Sequence, residues 1–205
     1  MNREILDIND CTILLEEAST DKTLVDSCFF DEPVIAIAFY GSGDVGLTVK
    51  YNEKTKTFNH TKGMVLSFYA DDKVEFQHHV SEHKPLQCLV IATTLKSLDK
   101  LPNGEGQFLE QFLSQLVHPK DSYVEGPIFN MTPEMFLLVE QFFSNTYDGG
   151  IKMMFYKSHM TALLAHYFGQ LANQQTIKTD TAQLEKINLA QDILLSDLEN
   201  PPSLT

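Results

Sequence analysis

Histidine and cysteine are the residue types here whose spacing could announce chemistry. His78, His79 and His83 lie close together, and His60 comes earlier in the same strand-rich stretch. Four imidazoles could in principle hold a divalent cation. On a strand, however, successive side chains point to opposite faces, so His78 and His79 cannot both ligate one ion without distortion. The Gly-led His-x-His pair that would suit a barrel metal centre is absent, as are its downstream Glu and later His. No metal and no cofactor is expected. The three cysteines, Cys11, Cys28 and Cys88, are odd in number and widely spaced, which argues against a disulfide framework. The expected setting is cytoplasmic, with reduced thiols.

His78 shares a strand face with Val74, Phe76 and Val80 and is expected to point inward. Two readings stay open. It is a core histidine hydrogen-bonded to backbone, or it is a polar group in a mostly apolar effector pocket. Tyr40, Phe68, Phe76 and Cys88 join it as candidate pocket residues, each with the same core alternative. No nucleophile elbow, cysteine motif or phosphate-binding loop stands out, so no catalytic residue is assigned and an enzyme is not expected. Gly41, Gly43 and Gly46 do fit Gly-x-Gly-x-x-Gly. The run joins two strands with no helix after it and so lacks anion-binding geometry; it reads as a hairpin turn.

The elements that must position these groups divide by period. Up to about Thr94 the pattern is that of strands. Val34–Tyr40 is a continuous apolar run, Val45–Tyr51 is rich in β-formers, and Asn52–Lys56 reads as a polar turn. Met64–Tyr69, the alternating Val74–Val80 and Leu86–Ala92 follow, and short strands of this kind suggest an antiparallel sandwich or barrel. After Leu95 the period becomes helical. Leu109, Phe112, Leu113 and Leu116 fit one helix, His118–Met131 reads as a loop, and Thr132-Pro133-Glu134 opens another helix. A long helix is predicted from about Gly150 to Ala172, apolar on two arcs. Met153, Tyr156, Met160, Leu163, Leu164, Tyr167 and Leu171 form the larger arc, the expected dimer interface, with burial of both arcs within one chain as an equal alternative. Met154, Phe155, Ala162, Ala165 and Phe168 form the smaller one. Asn173–Thr179 reads as a polar linker, and Asp180 with Gln183 suits the cap of a last amphipathic helix that leads into Pro201-Pro-Ser-Leu204.

Charge limits the partners. Across 205 residues the formal net charge is −13, and the stretch from Thr146 to Thr205 carries four lysines, no arginine and six acidic residues. Such a chain repels phosphate backbones and should not hold DNA alone. No apolar run reaches the length of a membrane span, and the first residues lack a signal-peptide core.

Gly149-Gly-Ile-Lys-Met-Met-Phe-Tyr-Lys-Ser158 before a long helix, Glu185–Leu194, and the Pro201–Leu204 turn together resemble the AraC-type bacterial transcription regulators. The likeness is greatest to the subgroup that includes the pyochelin-responsive regulators. Over Met1–Leu95 it is one of pattern. It implies an α+β fold: a cupin-like antiparallel β-barrel or sandwich at 1–95 that senses a small molecule, followed by a helical dimerisation region at 96–173. Residues 180–205 would be the first helix and start of a helix-turn-helix domain whose reading helices lie beyond Thr205. The implied partners are a small-molecule effector, a second copy of the chain, and DNA only through that further domain. The alternative is a stand-alone cupin-like binding protein or enzyme. A third reading is an anti-activator that forms mixed dimers with full-length regulators.

Overall fold

Alternation along Val34–Tyr40 is hidden in the sequence because both faces of the strand are covered. In the computed structural model, which describes residues 1–82, 85–101 and 104–176, each of its seven residues is buried. It is β4 in a series with β1 (Asn2–Ile8), β2 (Cys11–Ala18), β3 (Leu24–Cys28), β5 (Gly46–Tyr51), β6 (Lys54–Phe58), β7 (Met64–Ala70), β8 (Glu75–Val80), β9 (Leu86–Thr94) and β10 (Tyr123–Asn130). The order β1-β2-β9-β4-β7-β10 makes one antiparallel sheet, and β3-β8-β5-β6 makes a second. The expected antiparallel sandwich is therefore what forms, as two separate sheets rather than one closed barrel. Ala36, Ala38 and Tyr40 of β4 join the apolar cluster that also holds Leu47, Val49 and Phe76 of the four-stranded sheet. The alternate residues Ile35, Ile37 and Phe39 face the other way. Phe39 meets Tyr167 edge-on, with ring centroids 6.3 Å apart.

Two hairpins set the register. Asn9-Asp10 joins β1 to β2 and Asn52-Glu53 joins β5 to β6, all four residues at positive φ. Two-residue loops of that kind match the twist of the flanking strands. The turn at 52–53 is thus tighter than predicted, and Lys54–Phe58 continues as strand. Gly41–Gly46 is not a hairpin: it carries the chain from β4 in one sheet to β5 in the other. Gly43 (φ 86°) lies so close to Pro85 that a Cβ would stand 1.4 Å from its carbonyl oxygen, so only glycine fits there.

The helical part also differs in detail. The expected single helix around Leu109–Leu116 is two, α1 (Glu105–Phe112) and α2 (Ser114–Val117), broken at Leu113. Leu109, Leu113 and Leu116 are nonetheless buried, so the three-four spacing marks the covered side. The predicted loop contains β10, which pairs with β7 and bulges between Glu125 and Ile128. Pro127 lacks an N–H, but at an edge-strand bulge none is needed. Its carbonyl accepts a 2.9 Å hydrogen bond from the Ser67 hydroxyl. Helix α3 (Pro133–Phe143) begins as predicted, with the Thr132 hydroxyl capping the Met135 N–H, and buries Met135, Val139 and Phe142.

Helix α4 spans Gly149–Thr176. Its larger apolar arc turns inward. Tyr156, Met160, Leu163, Leu164 and Tyr167 are all buried within Met1–Phe168, and Met153 is half-buried. These residues and Leu171 were expected at the dimer interface; the five buried ones have no surface left for a partner. The chain divides into two units, Met1–Phe168 and Gly169–Thr205. The predicted last helix from Asp180, the linker residues from 177 on, and His83 lie outside the described residues. No helix among the described residues is long and apolar enough to cross a membrane.

Leu164→Asp places an unpaired carboxylate in this core. It should cost about 3–5 kcal/mol in urea unfolding, by the same amount at all protein concentrations. A loss that grows on dilution would instead return Leu164 to a subunit interface.

Candidate functional site

Strand register brings the candidate residues together. Glu16 on β2 stands opposite Cys88 on β9, and Cys88 stands opposite Tyr40 on β4. Directly paired residues of an antiparallel sheet share a face, so the three form a row across the interior of the six-stranded sheet. From the other sheet, β8 presents His78 and Phe76 toward that row. His78 is paired in register with Asp26 of β3. Phe68 of β7 packs on Phe76 with centroids 4.9 Å apart, and Phe30 lies against both. The five expected pocket residues thus converge, but as two kinds of neighbourhood. Phe68 and Phe76 are aromatic packing, whereas Tyr40, His78 and Cys88 form a polar end.

Glu16 was missed in the sequence and completes that end. Only 1% of its side chain is exposed. The available signal was its place between Leu14 and Ala18, on an apolar strand face where a carboxylate is out of character. The carboxylate accepts a 2.7 Å hydrogen bond from Arg3 Nε, directly across β1 and β2. The same guanidinium also pairs with Asp26. On the opposite face of β1, Glu4 accepts from Lys152 of α4.

The tyrosine hydroxyl lies 3.0 Å from His78 Nε2. His78 Nδ1 is 3.8 Å from the second Glu16 oxygen, too far for a hydrogen bond, and has no hydrogen-bond partner. Burial lowers the His78 pKa, with Glu16 pulling in the opposite direction. Burial raises the pKa of the Tyr40 phenol and the Cys88 thiol well above their ordinary values. At neutral pH the polar end therefore holds a neutral imidazole, phenol and thiol beside Glu16. One ligand atom each from Glu16, His78 and Cys88 all lie within 4.8 Å of one another. His79, on the other face of β8 as expected, meets the Thr48 hydroxyl at 3.0 Å, and His60 pairs with Asp44.

A cavity of about 280 Å³ lies next to the five expected residues rather than among them, walled by Leu14, Cys28, Phe29, Phe30, Val34 and Ala92 and edged by Asp7, Asp10, Asp31 and Glu32. Phe30 separates it from Phe68 and Phe76. Cys28, pushed to a pKa of about 12 by burial and then by Glu16, lies between this cavity and the polar end. The lining was not legible because Phe29, Phe30, Asp31 and Glu32 sit in the irregular segment between β3 and β4.

Arg3→Ala should leave Glu16 buried without its cation and cost about 3 kcal/mol in urea unfolding. Adding Glu16→Gln should recover most of that loss in a double-mutant cycle. A penalty unchanged by the second substitution would show that Arg3 acts by packing alone.

No curated protein matches the chain in sequence. Solved structures similar to it include the AraC-like transcriptional activator CuxR, 8% identical over 83% of this chain with a TM-score of 0.43. The chain spans 55% of that protein. A cupin protein from Bacteroides fragilis is 9% identical over 45% of this chain and 76% of its own length, with a TM-score of 0.32. Vicilin from Corylus avellana is 17% identical over 61% of this chain and 39% of its own, with a TM-score of 0.35. At such scores these likenesses carry no argument, and the fold stands on the strand order above. The sequence match is more specific: the profile described as the regulatory protein PchR N-terminal domain covers residues 19–184. The chain belongs to this family of N-terminal regulatory domains, the kinship expected from its Gly149–Ser158 and Glu185–Leu204 stretches.

Proposed function

We propose that the chain is the effector-sensing and dimerisation region of a cytoplasmic AraC-type transcription regulator. It would sense rather than catalyse, and would control DNA binding by a domain beyond Thr205. Membership in a regulatory-domain family carries this reading. The net charge of −13 supports assigning DNA contact to another part of the protein. Residues 1–95 would form the effector-binding part, 96–173 the dimerisation part and 180–205 the entry to the DNA-binding domain. A small molecule would enter the cavity beside Phe30, with Tyr40, Phe68, Phe76, His78 and Cys88 behind it as the deeper wall. An apolar lining with a few polar groups is what such sites use. With the larger arc of α4 inside the core, a homodimer would use the outward side of the helix. Ile151 and Met154 are 64% and 75% exposed there.

The native reading frame, followed past codon 205, should encode helix-turn-helix elements. In that full-length regulator Leu14→Trp, which fills the cavity from a half-buried position, should abolish effector-dependent transcription while DNA binding in vitro persists. A frame without such elements would overturn the regulator reading. Met154→Asp should weaken the dimer at least tenfold in sedimentation equilibrium and change stability by less than about 0.5 kcal/mol. A wild-type chain that sediments as a monomer would remove dimerisation from the reading.

A further inference from the structure

The polar end between the sheets has the composition of a metal site rather than of a core hydrogen-bond cluster. Glu16, His78 and Cys88 offer one oxygen, one nitrogen and one sulfur within 4.8 Å of one another, all from buried side chains. A hydrogen-bonded cluster would use its best acceptors and donors. Here His78 Nδ1, in a side chain only 3% exposed, is left without a partner and faces a Glu16 oxygen at 3.8 Å. That separation is close to the spacing of two ligands about 2.0–2.2 Å from a common tetrahedral ion. From these observations we infer that Glu16, His78 and Cys88 form a binding site for a divalent transition-metal ion of the zinc class, within the sandwich.

Charge favours such an occupant. With Cys88 as thiolate, Glu16 as carboxylate and His78 as neutral imidazole, a divalent ion makes the set neutral in an apolar surrounding, where an uncompensated charge is costly. Binding proceeds as Cys88–SH plus the ion giving the Cys88–S–metal bond and one proton released to solvent. The ligand types, imidazole, thiolate and carboxylate, suit zinc or cobalt rather than magnesium or calcium.

The surrounding hydrogen bonds run in the required direction. When Nδ1 ligates, Nε2 carries the ring proton and donates to the Tyr40 oxygen 3.0 Å away. The Tyr40 O–H then donates to the Cys88 sulfur, with which it also interacts. Arg3 holds the other Glu16 oxygen at 2.7 Å, leaving the one nearer His78 for the ion. Such outer partners fix the orientation of ligating groups. Cys28 lines the neighbouring cavity. The histidine spacing did not reveal this set, because its members lie on three strands far apart in sequence.

The full chain, stripped with a chelator and kept reduced, is titrated with Co²⁺. It should bind one equivalent, develop a thiolate-to-cobalt charge-transfer absorption, release about one proton per ion, and lose the absorption when Zn²⁺ displaces cobalt. Cys88→Ser should abolish the charge-transfer absorption, whereas Cys11→Ser, in a buried thiol outside the set, should retain it. Tyr40→Phe should retain the absorption with affinity lowered about 10–100-fold. No absorption from wild-type protein that is folded by circular dichroism overturns the site, as does a band that survives in Cys88→Ser. Should Cys88→Ser fail to fold, His78→Gln decides: affinity lowered at least tenfold supports the site, and unchanged affinity overturns it.

Discussion

The middle of the six-stranded sheet has no face for water, and the rest of the architecture follows from that. Each residue of β4 is buried, as is each residue of β7 beside it. One side of this sheet is closed by the four-stranded sheet, around Leu47, Val49 and Phe76. The other side needs a helical cover, and the larger arc of α4 supplies it through Leu163, Leu164 and Tyr167. An amphipathic helix is stabilised mainly by packing its apolar stripe. The stripe that looks ready for a partner in the sequence is therefore consumed by the chain itself.

The second constraint is a carboxylate carried into the interior. Glu16 sits on a strand face otherwise given to Leu14 and Ala18, and Arg3 reaches over from the neighbouring strand to accompany it. Natural cores tolerate such groups when they are paired. Around it the sandwich sorts into two ends. Phe30, Phe68, Phe76 and Tyr123 fill one by ring contacts, while Tyr40, His78 and Cys88 surround Glu16 at the other.

What could be read from the sequence depended on whether the signal was local. The alternation of Val74–Val80 put His78 inside and His79 outside, and Thr132-Pro133 fixed the start of α3. The strands β4, β5, β7, β8 and β9 were legible for the same reason, whereas β1, β2 and β3 carried no pattern that singled them out and β6 read as part of a turn. Partnership between distant segments was not. Nothing in Gly41–Gly46 says that the chain changes sheets there, and Pro127 made an edge strand look like a loop. The destination of the α4 stripe depends on what lies across from it. So does Glu16, whose role appears only when β2, β8 and β9 are brought together.

The strand β1 has a position whose effect reaches further than its seven residues. Neighbouring side chains on it point to opposite faces, and here both are committed. Arg3 holds Glu16 and Asp26 on the inner side, and Glu4 holds Lys152 of α4 on the outer side. It is an outermost strand paired only with β2, so one row of backbone bonds holds it in the sheet. A displacement of β1 by one pleat would break an ion pair inside the sandwich and another on the long helix in a single step. The strand thereby ties the buried carboxylate of the interior to the seating of α4.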